Sequence, residues 1–168
     1  MVKKGFLLLL GLVLLSPACG KREEGPTESL LREKDREFVS STLGTMNGEA
    51  RIVLVTSQRE CEFCELTEGF LEDIAALAPG VAVQVFDLEK NGPGAEELGI
   101  ERAPGIAILG EKDYGVRYYG LPTGFEFITF IETIRAVAEG NPGLPPEFLT
   151  ALASLEKPVT LTVFSTKT

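Results

Sequence analysis

The sequence contains two cysteines, Cys61 and Cys64, separated by two residues in the stretch TSQRECEFCELTEGF. Thiols at this spacing can bind a metal ion, form a structural disulfide or exchange disulfides with other molecules. On one helical turn the second sulfur can reach the first, so Cys61 can attack a substrate disulfide and Cys64 can resolve the mixed disulfide.

The composition disfavours a metal site. A structural zinc site needs four ligands, whereas the chain of 168 residues has three cysteines and no histidine. The lack of histidine also excludes Cys-His and Ser-His nucleophiles. We therefore expect no metal and no cofactor other than the dithiol itself. Two interpretations of the cysteine pair remain: redox exchange, and an inert structural disulfide as the alternative. The net charge of −9, with no basic patch, argues against a nucleic-acid partner.

Apolar periodicity predicts an α/β protein in which strands and helices alternate. An amphipathic helix is predicted within 29–43; strands are predicted at 51–57, 81–88, 105–109 and 114–120, and helices at 63–78, within 92–100 and at 123–140. Thr123 and Glu126 have the pattern of a capping box at the start of the last of these helices. Because the middle strands are apolar throughout, helices must cover both faces of the sheet.

This order places both cysteines in the first turn of the first long helix, directly after the first strand. Backbone N–H groups without helical partners, and the helix dipole, lower the pKa of a thiol at that position. Three carboxylates, those of Glu60, Glu62 and Glu65, surround the cysteines and oppose thiolate formation. We predict that they tune the pKa of Cys61 and give a more reducing potential than that of a strong oxidant. The alternative is a merely solvated acidic face.

The segment IERAPGIAILGEKDYGVRYYGLPTGFEFITFIETI, with the upstream CEFC, resembles the N-terminal unit of the two-unit, glutaredoxin-like protein disulfide oxidoreductases of heat-loving microbes. The stretches at 102–104 and 120–122 are its most distinctive parts. The resemblance implies a thioredoxin-like fold: a central mixed sheet, helices on both faces and an extra N-terminal helix. It also implies a thiol-disulfide oxidoreductase whose partners are protein thiols or disulfides and an unidentified redox partner protein.

The resemblance further implies that the Ala103–Pro104 peptide bond is cis and faces the CxxC pair. Backbone groups of Ala103, beside Pro104, are then expected to bind the substrate strand. The alternative is that Pro104 merely opens a strand, where proline is tolerated.

The chain departs from the thioredoxin pattern at residues 53–55, which are apolar where thioredoxin keeps a buried Asp. Proton transfer to Cys64 therefore needs another base or water. Asp87 and Glu89 end the second predicted strand, and we expect solvation to be their role there.

The resemblance also divides the chain. Residues 29–140 form the predicted thioredoxin-like unit, 141–157 a linker with a short helix, and 158–168 the first strand of an incomplete second unit. We interpret the chain as a truncation of a two-unit protein; alternatively, residues 159–168 add a strand to the first unit. An orphan apolar strand leaves backbone groups unpaired and favours edge pairing or aggregation.

The N-terminus has the pattern of an export signal. Residues 1–18 combine two lysines, an apolar run and small residues before Cys19. The apolar run is shorter than the ~20 residues of a membrane span. We predict a lipoprotein-type signal peptide, lipidation of Cys19, a charged tether at 19–28 and a periplasmic or other extracytoplasmic location. Membrane association is expected only through this lipid. A soluble secreted protein and an uncleaved anchor are the alternatives.

Two classes of function remain. The first is an exported thiol-disulfide oxidoreductase with Cys61 as nucleophile and Cys64 as resolving cysteine. The second is a non-catalytic thioredoxin-fold module, or an inactive fragment, that holds a partner through the groove at Pro104. Replacing Cys64 with Ser separates them, because only a turning-over enzyme accumulates covalent mixed disulfides.

Overall fold

The computed structural model describes residues 29–59, 61–90 and 92–165. Within them lie α1 (Glu33–Leu43), β1 (Ala50–Thr56), α2 (Cys64–Leu77), β2 (Val81–Asp87), α3 (Gly92–Glu97), β3 (Gly105–Leu109), β4 (Asp113–Tyr119), α4 (Glu126–Glu139) and α5 (Pro146–Ala153). Their order is the predicted one, and α5 is the short helix predicted after 140. The predicted signal peptide, Cys19, the predicted tether and Glu60 lie outside the described residues.

The strands form one mixed sheet in the order β2-β1-β3-β4. β1 pairs in parallel with β2, from Ala50↔Val81 to Thr56↔Asp87. β3 runs antiparallel to both β1 and β4. The α2 crossover is long enough to join the two parallel strands, and the predicted mixed sheet is confirmed.

β3 and residues 52–55 of β1 are buried on both faces, which explains the continuous apolar sequence of these stretches. Their side chains alternate between the faces with a period of two residues. One face packs against α1, α2 and α4, and the other against α3 and the segment before β3. The first face carries Ile52, Leu54, Ile106 and Ile108, and the second carries Val53, Val55, Ala107 and Leu109. Helices thus cover both faces, as predicted.

Aromatic side chains join α4 to both α2 and α1. Phe70 is buried, and its ring centroid lies 6.1 Å from that of Phe127 and 6.0 Å from that of Phe130. Phe38 of α1 lies 6.2 Å from Phe127. Tilted and edge-on arrangements at these distances are favourable. They fix α2, and with it the cysteine at its first position, against α4.

The predicted capping box of α4 is wrong. The helix begins at Glu126 with Phe125 as its N-cap residue, and no side chain caps it. Thr123 lies two residues before the N-cap, where its carbonyl accepts the Glu126 N–H at 3.4 Å. The reason is the intervening Gly124, whose positive φ of 65° turns the chain before the helix starts.

The strand predicted for the C-terminal segment is not formed in the part that the structure describes. Residues 155–165 are in neither helix nor strand, and Val159, Leu161 and Phe164 are exposed. α5 likewise has no buried residue. A strand needs a hydrogen-bonding neighbour, and among the described strands none pairs with this segment. That it opens a second unit stays a prediction.

Candidate active site

The carboxyl end of β1 and the start of β3 lie side by side. Val55 of β1 pairs with Gly105, the first residue of β3. The loop after β1 leads to Cys61, and Pro104 directly precedes Gly105. The sheet therefore brings the CxxC loop and the Ala103–Pro104 segment to the same end of the molecule.

A disulfide joins Cys61 to Cys64, whose Cα atoms are 5.5 Å apart. Cys64 is buried, with 6% of its surface exposed, whereas Cys61 is half-buried. The predicted position in the first helical turn is wrong for Cys61. α2 begins at Cys64, because Phe63, with φ −107° and ψ 4°, lies outside the helical conformation as its N-cap residue. Cys61 thus lies in the turn before the helix and is the more accessible cysteine.

The turn between the cysteines is hydrogen-bonded to the start of α2. The Cys64 N–H donates to the Cys61 carbonyl at 3.5 Å. The N–H and hydroxyl of Thr67 both donate to the Phe63 carbonyl, at 2.9 and 2.7 Å. Thr67 is fully buried, and its hydroxyl has a partner within the helix. The positive end of the helix dipole therefore meets an ordered, hydrogen-bonded turn.

The Ala103–Pro104 peptide bond is cis, as predicted. Both residues are half-buried, and the Pro104 carbonyl accepts the Gly120 N–H at 3.0 Å. The neighbouring Arg102 guanidinium lies 4.9 Å from the ring centroid of Tyr119. Among the described residues, the Ala103 N–H and carbonyl have no hydrogen-bond partner. Such backbone groups can pair with an extended peptide.

Two of the three predicted acidic neighbours, Glu62 and Glu65, are exposed, and Glu60 lies outside the described residues. Exposed charges are screened over about 10 Å at 0.1 M salt. Their effect on the pKa of Cys61 therefore stays a prediction.

A further carboxyl on α2, that of Glu68, lies one turn after Cys64. Burial raises the pKa of Glu68, and the nearby carboxylates of Glu72 and Glu65 raise it further. The described part of this helix thus contains a carboxyl whose surroundings favour the protonated form.

Sequence reasoning missed the contacts of Glu89. Its carboxylate accepts the Ser57 hydroxyl at 2.8 Å and the Gln58 N–H at 3.1 Å, and Arg59 Nε lies 4.0 Å away. The hydrogen bond from the Ser57 hydroxyl, and then that from the Gln58 N–H, lower the pKa of Glu89. The expectation of mere solvation is wrong. No spacing signals these hydrogen bonds, because their partners lie 32 and 31 residues away along the chain.

No protein-family model and no curated protein matches the sequence. Among solved structures, a protein disulfide oxidoreductase from Aeropyrum pernix k1 is 27% identical, with a TM-score of 0.65 over 74% of this chain and 55% of that chain. The NTD_N/C domain of the alkylhydroperoxide reductase AhpF from Enterococcus faecalis (V583) is 17% identical, with a TM-score of 0.68 over 76% of this chain and 62% of that chain. This chain therefore spans little more than half the length of the first. The second likeness is one of fold alone.

Proposed function

We propose that this chain, which has a thioredoxin-like fold, is a thiol-disulfide oxidoreductase that exchanges disulfides with protein substrates. The observation that best supports this proposal is the Cys61–Cys64 disulfide at the N-terminus of α2. An accessible cysteine next to a buried one, at the positive end of a helix, suits a nucleophile and its resolving partner. We assign the first role to Cys61 and the second to Cys64.

The proposed exchange has two steps. In the reduced protein the Cys61 thiolate attacks a substrate disulfide, so that a Cys61–substrate disulfide forms and one substrate sulfur leaves as a thiolate. Cys64, having lost its proton, then attacks Cys61 Sγ, and the second substrate sulfur leaves as the Cys61–Cys64 disulfide forms. Each departing thiolate takes up a proton, and two electrons pass to the substrate. The reverse sequence oxidises a substrate dithiol, and the structure is the oxidised end of the cycle.

The substrate strand is proposed to lie along the segment before β3. The Ala103 N–H and carbonyl have no partner among the described residues, and Pro104 beside them is half-buried. An extended peptide that pairs with Ala103 reaches the sheet end from which the CxxC loop leaves. Backbone pairing of this kind tolerates different side chains, which suits protein substrates of varied sequence.

We further propose, from the sequence, that the chain is exported. The lipoprotein-type signal at 1–18 and a lipidated Cys19 would place the domain outside the cytosol, where disulfides persist. None of the described helices is sufficiently long and apolar to span a membrane. Labelling cells with a fatty-acid analogue tests the anchor: the wild-type chain is expected to incorporate it and Cys19→Ser is not. Equal labelling contradicts the assignment.

The first test of the activity measures the redox equilibrium of the pair. The full chain carrying Cys19→Ser, which leaves two thiols, is equilibrated in graded thiol–disulfide buffers, alkylated and weighed. A reversible transition between about −120 and −270 mV, the range of known oxidoreductases, is expected. A pair that stays oxidised across the series identifies a structural clamp and contradicts the proposal.

A non-catalytic binding module is the alternative, because this chain spans only 55% of the A. pernix protein. A second test separates the two. In Cys64→Ser, Cys61 can still attack a substrate disulfide, but no resolving thiol is present. Mixed disulfides with proteins are expected to accumulate and to disappear in Cys61→Ser. Non-covalent capture that is equal in both variants supports the binding module instead.

A further inference from the structure

We propose that Glu89 is a positioning residue for Cys61: its carboxylate orders the segment 57–59, which ends two residues before Cys61. This inference rests on the proposed function, since it concerns the reactivity of the same disulfide. Glu89 lies after β2, on a different loop from the cysteines. It therefore acts through the loop rather than on the sulfur atoms.

The contacts involve three consecutive residues of that loop. The Ser57 hydroxyl donates to one carboxylate oxygen of Glu89 at 2.8 Å, and the Gln58 N–H donates to the other at 3.1 Å. The hydroxyl oxygen of Ser57 in turn accepts a hydrogen bond from the Arg59 N–H at 3.1 Å. Hydrogen bonds to an ionised acceptor are stronger than neutral ones. One carboxylate thus orders the chain to within two residues of Cys61.

The position of Glu89 is itself held by backbone hydrogen bonds. Asp87 Oδ1 accepts the N–H of Glu89 at 2.9 Å and that of Lys90 at 3.1 Å. Between them, the Leu88 N–H donates to the Thr56 carbonyl at 2.9 Å. The turn after β2 is therefore folded against the last residue of β1, and Glu89 faces the loop that β1 leads into.

Within the described residues, the charged side chains of Arg59 and Asp87 lie next to the Glu89 carboxylate, and Lys90 lies next to Asp87. Arg59 lies 4.0 Å from it, and Asp87 is part of the same turn. Lys90 lies 3.7 Å from Asp87 and offsets the charge of that carboxylate. Glu89 could therefore act on the cysteines through its charge or through the position of the loop. Only a variant that removes the charge and keeps a hydrogen-bond acceptor distinguishes the two effects.

The experiment compares Glu89→Ala with Glu89→Gln in the full chain carrying Cys19→Ser. A glutathione mixed disulfide is formed on Cys61, and the rate of its displacement by Cys64 is measured, together with the glutathione redox equilibrium. Glu89→Ala is expected to slow ring closure about tenfold, because the two sulfurs lose their mutual orientation. Glu89→Gln, whose amide oxygen still accepts a hydrogen bond, is expected to restore most of the rate.

Glu139→Ala is the matched control. Glu139 also accepts one backbone and one side-chain donor, from Asn47 at 3.3 Å and Arg135 at 3.0 Å, but Asn47 precedes β1, at the opposite end of the strand. Its loss is expected to leave closure unchanged. If Glu89→Ala fails to fold, Ser57→Ala replaces it and is expected to slow closure by a smaller factor.

The outcomes separate the two proposals. A wild-type pair without any reversible transition overturns the proposed function. A wild-type pair that cycles, with Glu89→Ala closing as fast as Glu139→Ala, overturns only the role of Glu89. If Glu89→Ala and Glu89→Gln slow ring closure equally, the effect is one of charge, and the positioning role of Glu89 is overturned. Where Ser57→Ala replaces Glu89→Ala, ring closure at the wild-type rate overturns that role as well.

Discussion

Gly105 and Ile100 leave no room for a side chain between them. A Cβ on Gly105 would lie 2.5 Å from Cγ2 of Ile100 and 2.7 Å from the Arg102 carbonyl oxygen. Ile100 is buried on the α3 face of the sheet. The segment 100–104 therefore folds closely onto the first residue of β3, and this close packing holds Ala103 and Pro104 beside the CxxC loop.

Gly105→Ala is expected to reduce the free energy of unfolding by about 1–3 kcal/mol, the usual effect of overpacking. The added methyl group must displace Ile100 or the backbone of Arg102, since both lie well within contact distance. Urea denaturation at neutral pH measures the change. The redox equilibrium of the disulfide is expected to change as well, because the displaced backbone lies beside it.

Gly69→Ala is the control for this substitution. Gly69 lies in α2, and a Cβ there meets nothing within 4 Å. Alanine is expected to raise stability by about 0.5–1 kcal/mol through its higher helix propensity. If both variants shift the urea midpoint in the same direction, the steric account of Gly105 is wrong.

From the ion pair of Asp113 with Arg117 we predict that the folded protein loses stability in acid. The Arg117 guanidinium donates to both oxygens of Asp113, one of them at 3.0 Å, and lowers the pKa of that carboxyl below its ordinary 3.8. A lowered folded-state pKa gives stability that is present above the unfolded pKa and is lost as pH falls through the folded one. Because the Asp113 side chain is 39% exposed, we expect less than about 1 kcal/mol. Unfolding of wild type and Asp113→Asn at about pH 6 and pH 2 measures it; the asparagine variant is expected to lose less.

For Glu68 we predict the opposite dependence of stability on pH. Burial, and then Glu72 and Glu65, raise its pKa above the ordinary 4.5, so the unfolded chain ionises first as pH rises. The folded state is destabilised as pH rises through the two pKa values, and Glu68→Gln is expected to be more stable than wild type at neutral pH. The difference is expected to vanish in acid, where both states are protonated. A variant less stable than wild type at neutral pH contradicts the assignment.

Replacing Glu60, Glu62 and Glu65 with glutamine is expected to lower the pKa of Cys61 in the reduced protein. Removing negative charge favours the thiolate, which stabilises the dithiol form and makes the pair more oxidising. The pH dependence of Cys61 alkylation measures the pKa, and thiol–disulfide buffers measure the potential. Glu132→Gln, an exposed carboxyl on α4, is the control. A Cys61 pKa equal to that of the control identifies the glutamates as a solvated face.

The elements were predictable where local pattern and tertiary burial agree. The predicted strand at 105–109 coincides with β3, because a strand buried on both faces is apolar at every position. α2 and α4 have apolar stripes that match their buried faces. Two features were predictable only through the resemblance: the cis Ala103–Pro104 peptide bond and its position opposite the CxxC pair. No periodicity in the sequence encodes either of them.

Two of the errors share a physical cause, which is that contacts distant in sequence decide the outcome. In the sequence Glu89 is only a polar residue at the end of a strand. The pairing of β1 with β2 brings Ser57 next to it. The apolar alternation at 159–164 predicts a strand, but pairing needs a neighbour that the described sheet does not provide. The start of α2 depends on the conformation of Phe63, which helix propensity does not determine.

Deletion of residues 141–168 is expected to leave the free energy of unfolding within about 0.5 kcal/mol of the full chain, as for changes away from a core. α5 contributes no buried residue, and Phe148 and Leu152 on it are 57% and 52% exposed. Urea denaturation of the full and shortened chains, both with Cys19→Ser, measures the difference. A fall of more than about 2 kcal/mol would show that α5 packs on the unit, against the boundary predicted at 140.

The same deletion is expected to reduce self-association. A high density of exposed apolar side chains favours contacts between molecules, and this segment adds Val159, Leu161 and Phe164 to those of α5. Light scattering at increasing concentration compares the two chains, with Phe148→Ser/Leu152→Ser in the full chain as the matched variant. If scattering falls in the deletion but not in the double variant, the extended residues after α5 cause the association; if neither changes, the exposed surface is not adhesive and the prediction is wrong.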